Sequence, residues 1–205
     1  MKQLITISLT LTIGFAQSLS KEEKQIHSYI DNHTNEAIDL VEKVVNINSG
    51  TLNFKGNKKV GKIFQAELDK LGFKTYWVTY PKEIKRSGHL FAEMRGGKGQ
   101  NILLIGHLDT VFEPDHPFQK YTRKGDTAYG PGVSDMKAGD VSMIYIMKAL
   151  DKIGVLHDLN LTLAFTGDEE KTGGPVSIVR KELVEAGKWA NIGLGFEGTV
   201  GMNTG

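Results

Sequence analysis

The chain contains no cysteine. Disulfides, iron–sulfur clusters and thiolate zinc sites are therefore excluded, and any metal must be held by histidine and carboxylate. It also lacks an excess of charge of either sign: 25 Lys and Arg stand against 24 Asp and Glu, a formal net charge of +1. Residues 1–16 contribute Lys2 and no acid, so the remainder is neutral. That balance gives no electrostatic case for nucleic acid or an anionic membrane surface as partner. No apolar run reaches the roughly 20 residues that a membrane-spanning helix needs. With 40% hydrophobic and 24% charged residues, the composition is that of a globular protein.

The amino terminus reads as a targeting segment. Met1-Lys2 gives a short positive start, Leu4 to Phe15 is uncharged and largely apolar, and Gly14 and Ala16 have the spacing of a signal-peptidase site. The expectation is a signal peptide over 1–16, cleavage between Ala16 and Gln17, and an exported mature protein (periplasmic or secreted) with no membrane attachment after cleavage.

The rest of the chain alternates helical and extended patterns. Ser20-Lys21-Glu22-Glu23 has the capping-box form and opens one or two amphipathic helices that end near 46–50. A second helix is expected over Lys59 to Leu71, stopped by Gly72. Strands are expected over Phe73 to Tyr80, Leu90 to Met94, Asn101 to His107, Leu159 to Thr166 and Asn191 to Phe196. Phe112 to Tyr129 reads as a loop, Lys137 to Ile153 as a largely buried helix, and Pro175 to Ala186 as a helix with proline in its first turn. This alternation implies an α/β fold: a mostly parallel twisted sheet with helices on both faces.

In such a sheet ligands bind outside the carboxyl ends of the strands. Leu103-Leu104-Ile105-Gly106-His107-Leu108-Asp109 is an apolar strand that ends by presenting an imidazole and a carboxylate, two residues apart and hence on one face. Alone, this pattern also suits a hydrogen-bonded structural histidine. Three further segments bring acids to the same edge: Asp168, Glu169 and Glu170 after one strand, Glu197 after another, and Asp135 in the turn after Gly130-Pro131-Gly132-Val133-Ser134. Their convergence favours a metal site of zinc, manganese or cobalt type. Asp135 suits a bridge between two metals because a Gly-rich turn allows close backbone approach. Glu169 and Glu170 cannot both point one way from adjacent positions, which suits one ligand and one general base.

The ordered motifs Gly-His-Leu-Asp-Thr-Val (106–111), Gly-Asp-Thr-Ala-Tyr-Gly-Pro-Gly-Val-Ser-Asp-Met-Lys-Ala-Gly (125–139), Thr-Gly-Asp-Glu-Glu-Lys (166–171) and Phe-Glu-Gly (196–198) resemble the glutamate carboxypeptidase branch of the aminoacylase/acetylornithine deacetylase zinc peptidase superfamily. The resemblance covers residues 20–205. It implies two Zn2+ per complete catalytic domain, with His107 and Glu197 on one, Asp135 bridging, and Glu170 on the second. Glu169 would be the base that activates the attacking water, Asp109 would orient His107, and a cis peptide would join Asp135 to Met136. The implied reaction releases a carboxy-terminal amino acid, glutamate in this branch, from a small peptide or acyl-amino-acid substrate.

Members of that superfamily carry an inserted lid and dimerisation domain and a last histidine ligand beyond the equivalent of Gly205, and are often homodimers. Residues 17–205 therefore read as the amino-terminal part of the catalytic domain, expected to be inactive alone. His157, at the opposite edge of the sheet, and His116, in the loop, are poor substitutes for that histidine. An amide deacylase of the same superfamily and a non-catalytic metal-binding remnant are the alternative readings.

Overall fold

The computed structural model describes residues 18–198; the expected signal peptide lies outside them. Helix α1 (Lys21–Val45) is one continuous helix. Its Ser20 hydroxyl accepts from the Glu23 amide while the Glu23 carboxylate accepts from the Ser20 amide, the reciprocal cap read from the sequence. Helix α2 (Phe54–Lys70) begins at Phe54 rather than Lys59, because Asn53 caps it by accepting from the Gly56 amide. Its polar first turn concealed that start: Asn57 is buried there, donating to the Gly50 carbonyl at 3.0 Å.

The strands follow as β1 (Lys74–Val78), β2 (His89–Met94) and β3 (Asn101–His107), then a small hairpin of β4 (Thr122–Lys124) and β5 (Thr127–Tyr129). That hairpin lies within the segment expected to be loop. Its two-residue turn starts at Gly125, whose φ of +57° is the left-handed conformation such turns need. A π-turn (Val133–Lys137) leads into α3 (Ala138–Lys152), followed by β6 (Asn160–Thr166), α4 (Val176–Val179), α5 (Lys181–Trp189) and β7 (Ile192–Gly195). The single helix expected over Pro175 to Ala186 is thus two. Pro175 stands just before the first of them, after a cis Gly174–Pro175 bond, and the break falls at Arg180.

The main sheet has the order β1-β2-β6-β3-β7. Strands β6, β3 and β7 pair in parallel, and β2 is antiparallel to both β6 and β1, so β2 alone runs against the others. The sheet is mostly parallel, as expected. Side chains alternate between its faces. Leu90, Ala92, Leu104, Leu163 and Phe165 join the main core with Val60, Phe64, Val141, Ile144 and Met147 from α2 and α3. Phe91, Leu103 and Ala164 form a smaller core with Ala186 of α5 on the other face. Among the described residues no helix is long and apolar enough to cross a membrane.

Candidate metal centre

The carboxyl end of β3 delivers His107, which is 1% exposed. Its Nδ1 lies 3.0 Å from the Asp109 backbone carbonyl, and Nε2 points outward to three carboxylates. Asp135 Oδ1 is at 2.9 Å, Glu197 Oε1 at 3.4 Å and Glu169 Oε2 at 3.9 Å. Two sets of donor atoms each lie within 4.8 Å of one another: His107, Asp135 and Glu197, and His107, Glu169 and Glu170. The four chain segments expected to converge do so. Asp135 also precedes a cis peptide to Met136, as the family resemblance implied.

Asp109 holds more than His107. Its carboxylate, fully buried, accepts from the Thr51 hydroxyl at 2.7 Å and from the backbone amides of Glu169 and Glu170 at 3.0 and 3.1 Å. Its side chain stands 3.5 Å from His107 Nδ1, so the hydrogen bond that fixes the ring goes to its carbonyl instead. Strand β3 ends at His107, and the bend after it turns the carboxylate toward the 169–170 loop. Thr51 was not foreseen; nothing local marks it, and it arrives because residues 49–51 bridge to Thr110.

Asp168 is the exception to convergence. It is fully buried, but its carboxylate accepts from Arg180 Nη1 at 2.5 Å and from the Gly173 amide at 2.8 Å, away from His107. Arg180 Nη2 also donates to the Asp168 carbonyl and the Thr172 hydroxyl. The pair closes the loop that carries the two glutamates. Arg180→Met, which strands a buried carboxylate, is expected to destabilise the fold by about 3–5 kcal/mol. Asp168→Asn combined with Arg180→Met should recover part of that loss, as read by urea denaturation. His157 lies against Asp151 at 3.4 Å, and His116 accepts from the Phe118 amide; neither belongs to a donor set among the described residues.

The electrostatics of the cluster call for a cation. Burial alone would lower His107, yet Asp109, Asp140 and Glu197 outweigh it and push its pKa up to about 10. Glu170 is pushed up to about 7, first by burial and then by the charge of Asp135. Burial also raises Glu197. Asp140, in the first turn of α3, is completely buried and raised well above its usual range by that burial; among the described residues neither oxygen has a hydrogen-bond partner. Gly106 makes room for it, since a Cβ there would collide with this carboxylate and with Met143. A divalent ion at His107 Nε2 would offset this crowding of carboxylates, and the all-nitrogen-and-oxygen donor set fits zinc.

Residues 103–202 match the family model described as peptidase family M20/M25/M40. The chain carries a peptidase M20 domain. Over 203 residues it is 32% identical to carboxypeptidase G2 of Pseudomonas sp. (strain RS-16), covering 94% of this chain and 46% of that protein. A succinyl-diaminopimelate desuccinylase of Gluconacetobacter diazotrophicus is 29% identical over 128 residues, 60% of this chain and 32% of the relative. The fold is similar to human carnosine dipeptidase 1 (TM-score 0.70, 19% identity, 84% of this chain and 40% of that one). It is also similar to the M20 metallo-carboxypeptidase Sso-CP2 of Sulfolobus solfataricus (TM-score 0.61, 20% identity, 78% and 37%). The M20 chain thus spans less than half the length of each of these relatives.

Proposed function

We propose that this M20 domain supplies the metal-binding half of a zinc-dependent carboxypeptidase that releases a carboxy-terminal amino acid, glutamate by preference, from a small acyl or peptidyl amide. The observation that carries the proposal is the meeting of His107 with Asp135, Glu197, Glu169 and Glu170 at one sheet edge. Similarity to carboxypeptidase G2 supports the choice of a carboxypeptidase reaction, and the choice of glutamate rests on the resemblance of the motifs to the glutamate carboxypeptidase branch. His107, Asp135 and Glu197 would hold one zinc, and Asp135 with Glu170 would serve a second, as the family resemblance implies. When bound, the metal supplies Lewis acidity that lowers the pKa of water and polarises the substrate carbonyl.

The residues of the chain do the rest. Glu169, half exposed and, among the described residues, not held by an ion pair to Lys or Arg, takes the proton of the attacking water and passes it to the leaving amine. Asp109 keeps the Glu169 and Glu170 amides fixed, and, against the expectation that adjacent side chains point apart, both carboxylates reach the space beside His107. The Asp109 carbonyl holds the His107 tautomer that leaves Nε2 free for metal.

Metal analysis tests the site. With one histidine in the donor sets, the 205-residue chain is expected to retain one zinc after dialysis, and two retained ions would reveal a ligand outside those sets. Retention should weaken progressively as the pH falls below about 10, because a proton occupies His107 in the metal-free state and competes with the ion, and any ion held by Glu170 should be lost as the pH falls below about 7. Hydrolysis is tested by joining the chain to the remaining length of carboxypeptidase G2 and measuring glutamate release. Release of the acyl group from acyl-amino acids without a preference for glutamate would favour the deacylase reading, and no turnover with zinc bound would favour the remnant. The protein is further proposed to be exported, from residues 1–16; finding Met1 intact on protein recovered outside the cytoplasm would refute this.

A further inference from the structure

Helix α1 hides little of the apolar stripe that its sequence carries. Of its 25 residues only Val44 and Val45 are buried, although Ile30, Ala37, Ile38 and Val41 continue the stripe toward its start. A surface helix normally covers such a stripe against its neighbours. Here it forms one wall of a trough of about 360 Å³, with Val141, Tyr145 and Ile146 of α3 on the other side.

A second cavity, of about 590 Å³, joins the start of α1 to the end of α3. His33 borders both cavities, and its ring stacks on Tyr29 at 3.9 Å. The two therefore make one groove, which follows α1 from Lys21 to Val41, about 30 Å at the helical rise. Its ends differ in character. The second cavity is lined by Lys21, Lys24 and Lys152 and, among the described residues, by no carboxylate. The trough is apolar apart from His33, Thr34 and Ser142.

We infer that this groove binds a single-chain anionic amphiphile, a long-chain carboxylate whose tail lies in the trough and whose head meets the lysines. Charge complementarity chooses the head, because three cations and no acid line that cavity. The apolar walls choose the tail, and the trough has the volume of a small-ligand site, roughly 300–1,000 Å³. The apolar residues sit in a recess between two helices, whereas a helix that lies on a bilayer presents its apolar face outward. The groove is separate from the metal centre, none of whose donor residues lines it, so the inference does not rest on the hydrolytic reading.

The test titrates the 205-residue chain with dodecanoate, octanoate and dodecyltrimethylammonium, each below the concentration at which it self-associates, following the His33 ring resonances. Dodecanoate is expected to bind once per chain and to shift the ring. It should bind at least about tenfold more tightly than octanoate, since each buried methylene is worth about fourfold. The combined Lys21→Gln, Lys24→Gln and Lys152→Gln changes lie at the surface and should abolish the preference for dodecanoate over the cationic amphiphile. Ala37→Trp should fill the trough and remove the His33 shift while leaving zinc retention unchanged. Equal affinity for the two carboxylates, or for the two head groups in the unaltered chain, would overturn the site. Loss of dodecanoate binding when the chain is joined to the remaining length of carboxypeptidase G2 would assign the groove to further polypeptide and overturn it too. A dimer of the chain that Ala37→Trp dissociates would assign it to a second copy, with the same consequence.

Discussion

Glu169→Gln in the M20 domain, joined to the remaining length of carboxypeptidase G2, is expected to keep its zinc and lose turnover by about 10²–10⁴-fold, the usual worth of general acid–base help. The effect should sit at the high end, because the same group both takes the proton of the nucleophile and delivers it to the leaving amine. An amide of the same size keeps the contacts of Glu169 but accepts no proton. Its place in the cluster makes this separable from metal loss. Glu169 Oε2 is the most distant of the three carboxylates facing His107 Nε2, at 3.9 Å against 2.9 Å for Asp135. Glu170→Gln should behave differently, weakening the second metal position so that added zinc restores part of the rate. Zinc content and initial rates measured on the same samples distinguish the two. Equal zinc loss in both variants would make Glu169 a ligand rather than a base.

The legible part of this structure lay where one residue type has one physical use. Apolar runs of strand length gave β3 and β6 to within a residue, and Ser20 with Glu23 gave the start of α1, because a capping box satisfies two amides at once. The rule that ligands gather at the carboxyl ends of parallel strands was enough to bring His107, Asp135, Glu169, Glu170 and Glu197 together. It failed for Asp168 because a strand-end acid has two outlets, the cleft and the neighbouring helix. Arg180, itself at the break between α4 and α5, decides for the second. Thr51 and the β4–β5 hairpin were hidden for another reason. Their roles depend on contacts across many residues, from Thr51 to Asp109 and from Tyr121 to Asn46, that no local pattern encodes. Nothing in the sequence singled out Asp140; the gap left by Gly106 shows that it is buried against the strand end that carries the histidine.

Asp109→Asn is expected to lower zinc affinity by about 10–100-fold, the range for groups that orient metal ligands, although the substitution leaves the backbone carbonyl that holds His107 in place. The carboxylate accepts three hydrogen bonds, from Thr51 and from the amides of Glu169 and Glu170. An asparagine offers one oxygen and directs its NH2 group at a donor, so at least one buried amide loses its acceptor. Leaving such a group unsatisfied costs about 1–3 kcal/mol. Hydrogen exchange at the Glu169 and Glu170 amides should therefore accelerate, while the His107 Nδ1 proton, bonded to the carbonyl of residue 109 at 3.0 Å, keeps its resonance. That combination separates a clamp on the glutamate loop from an orienter of the imidazole. If the His107 proton signal is lost while the two amides exchange as before, the carboxylate acts on the ring, and the loop is held by the Asp168–Arg180 pair alone.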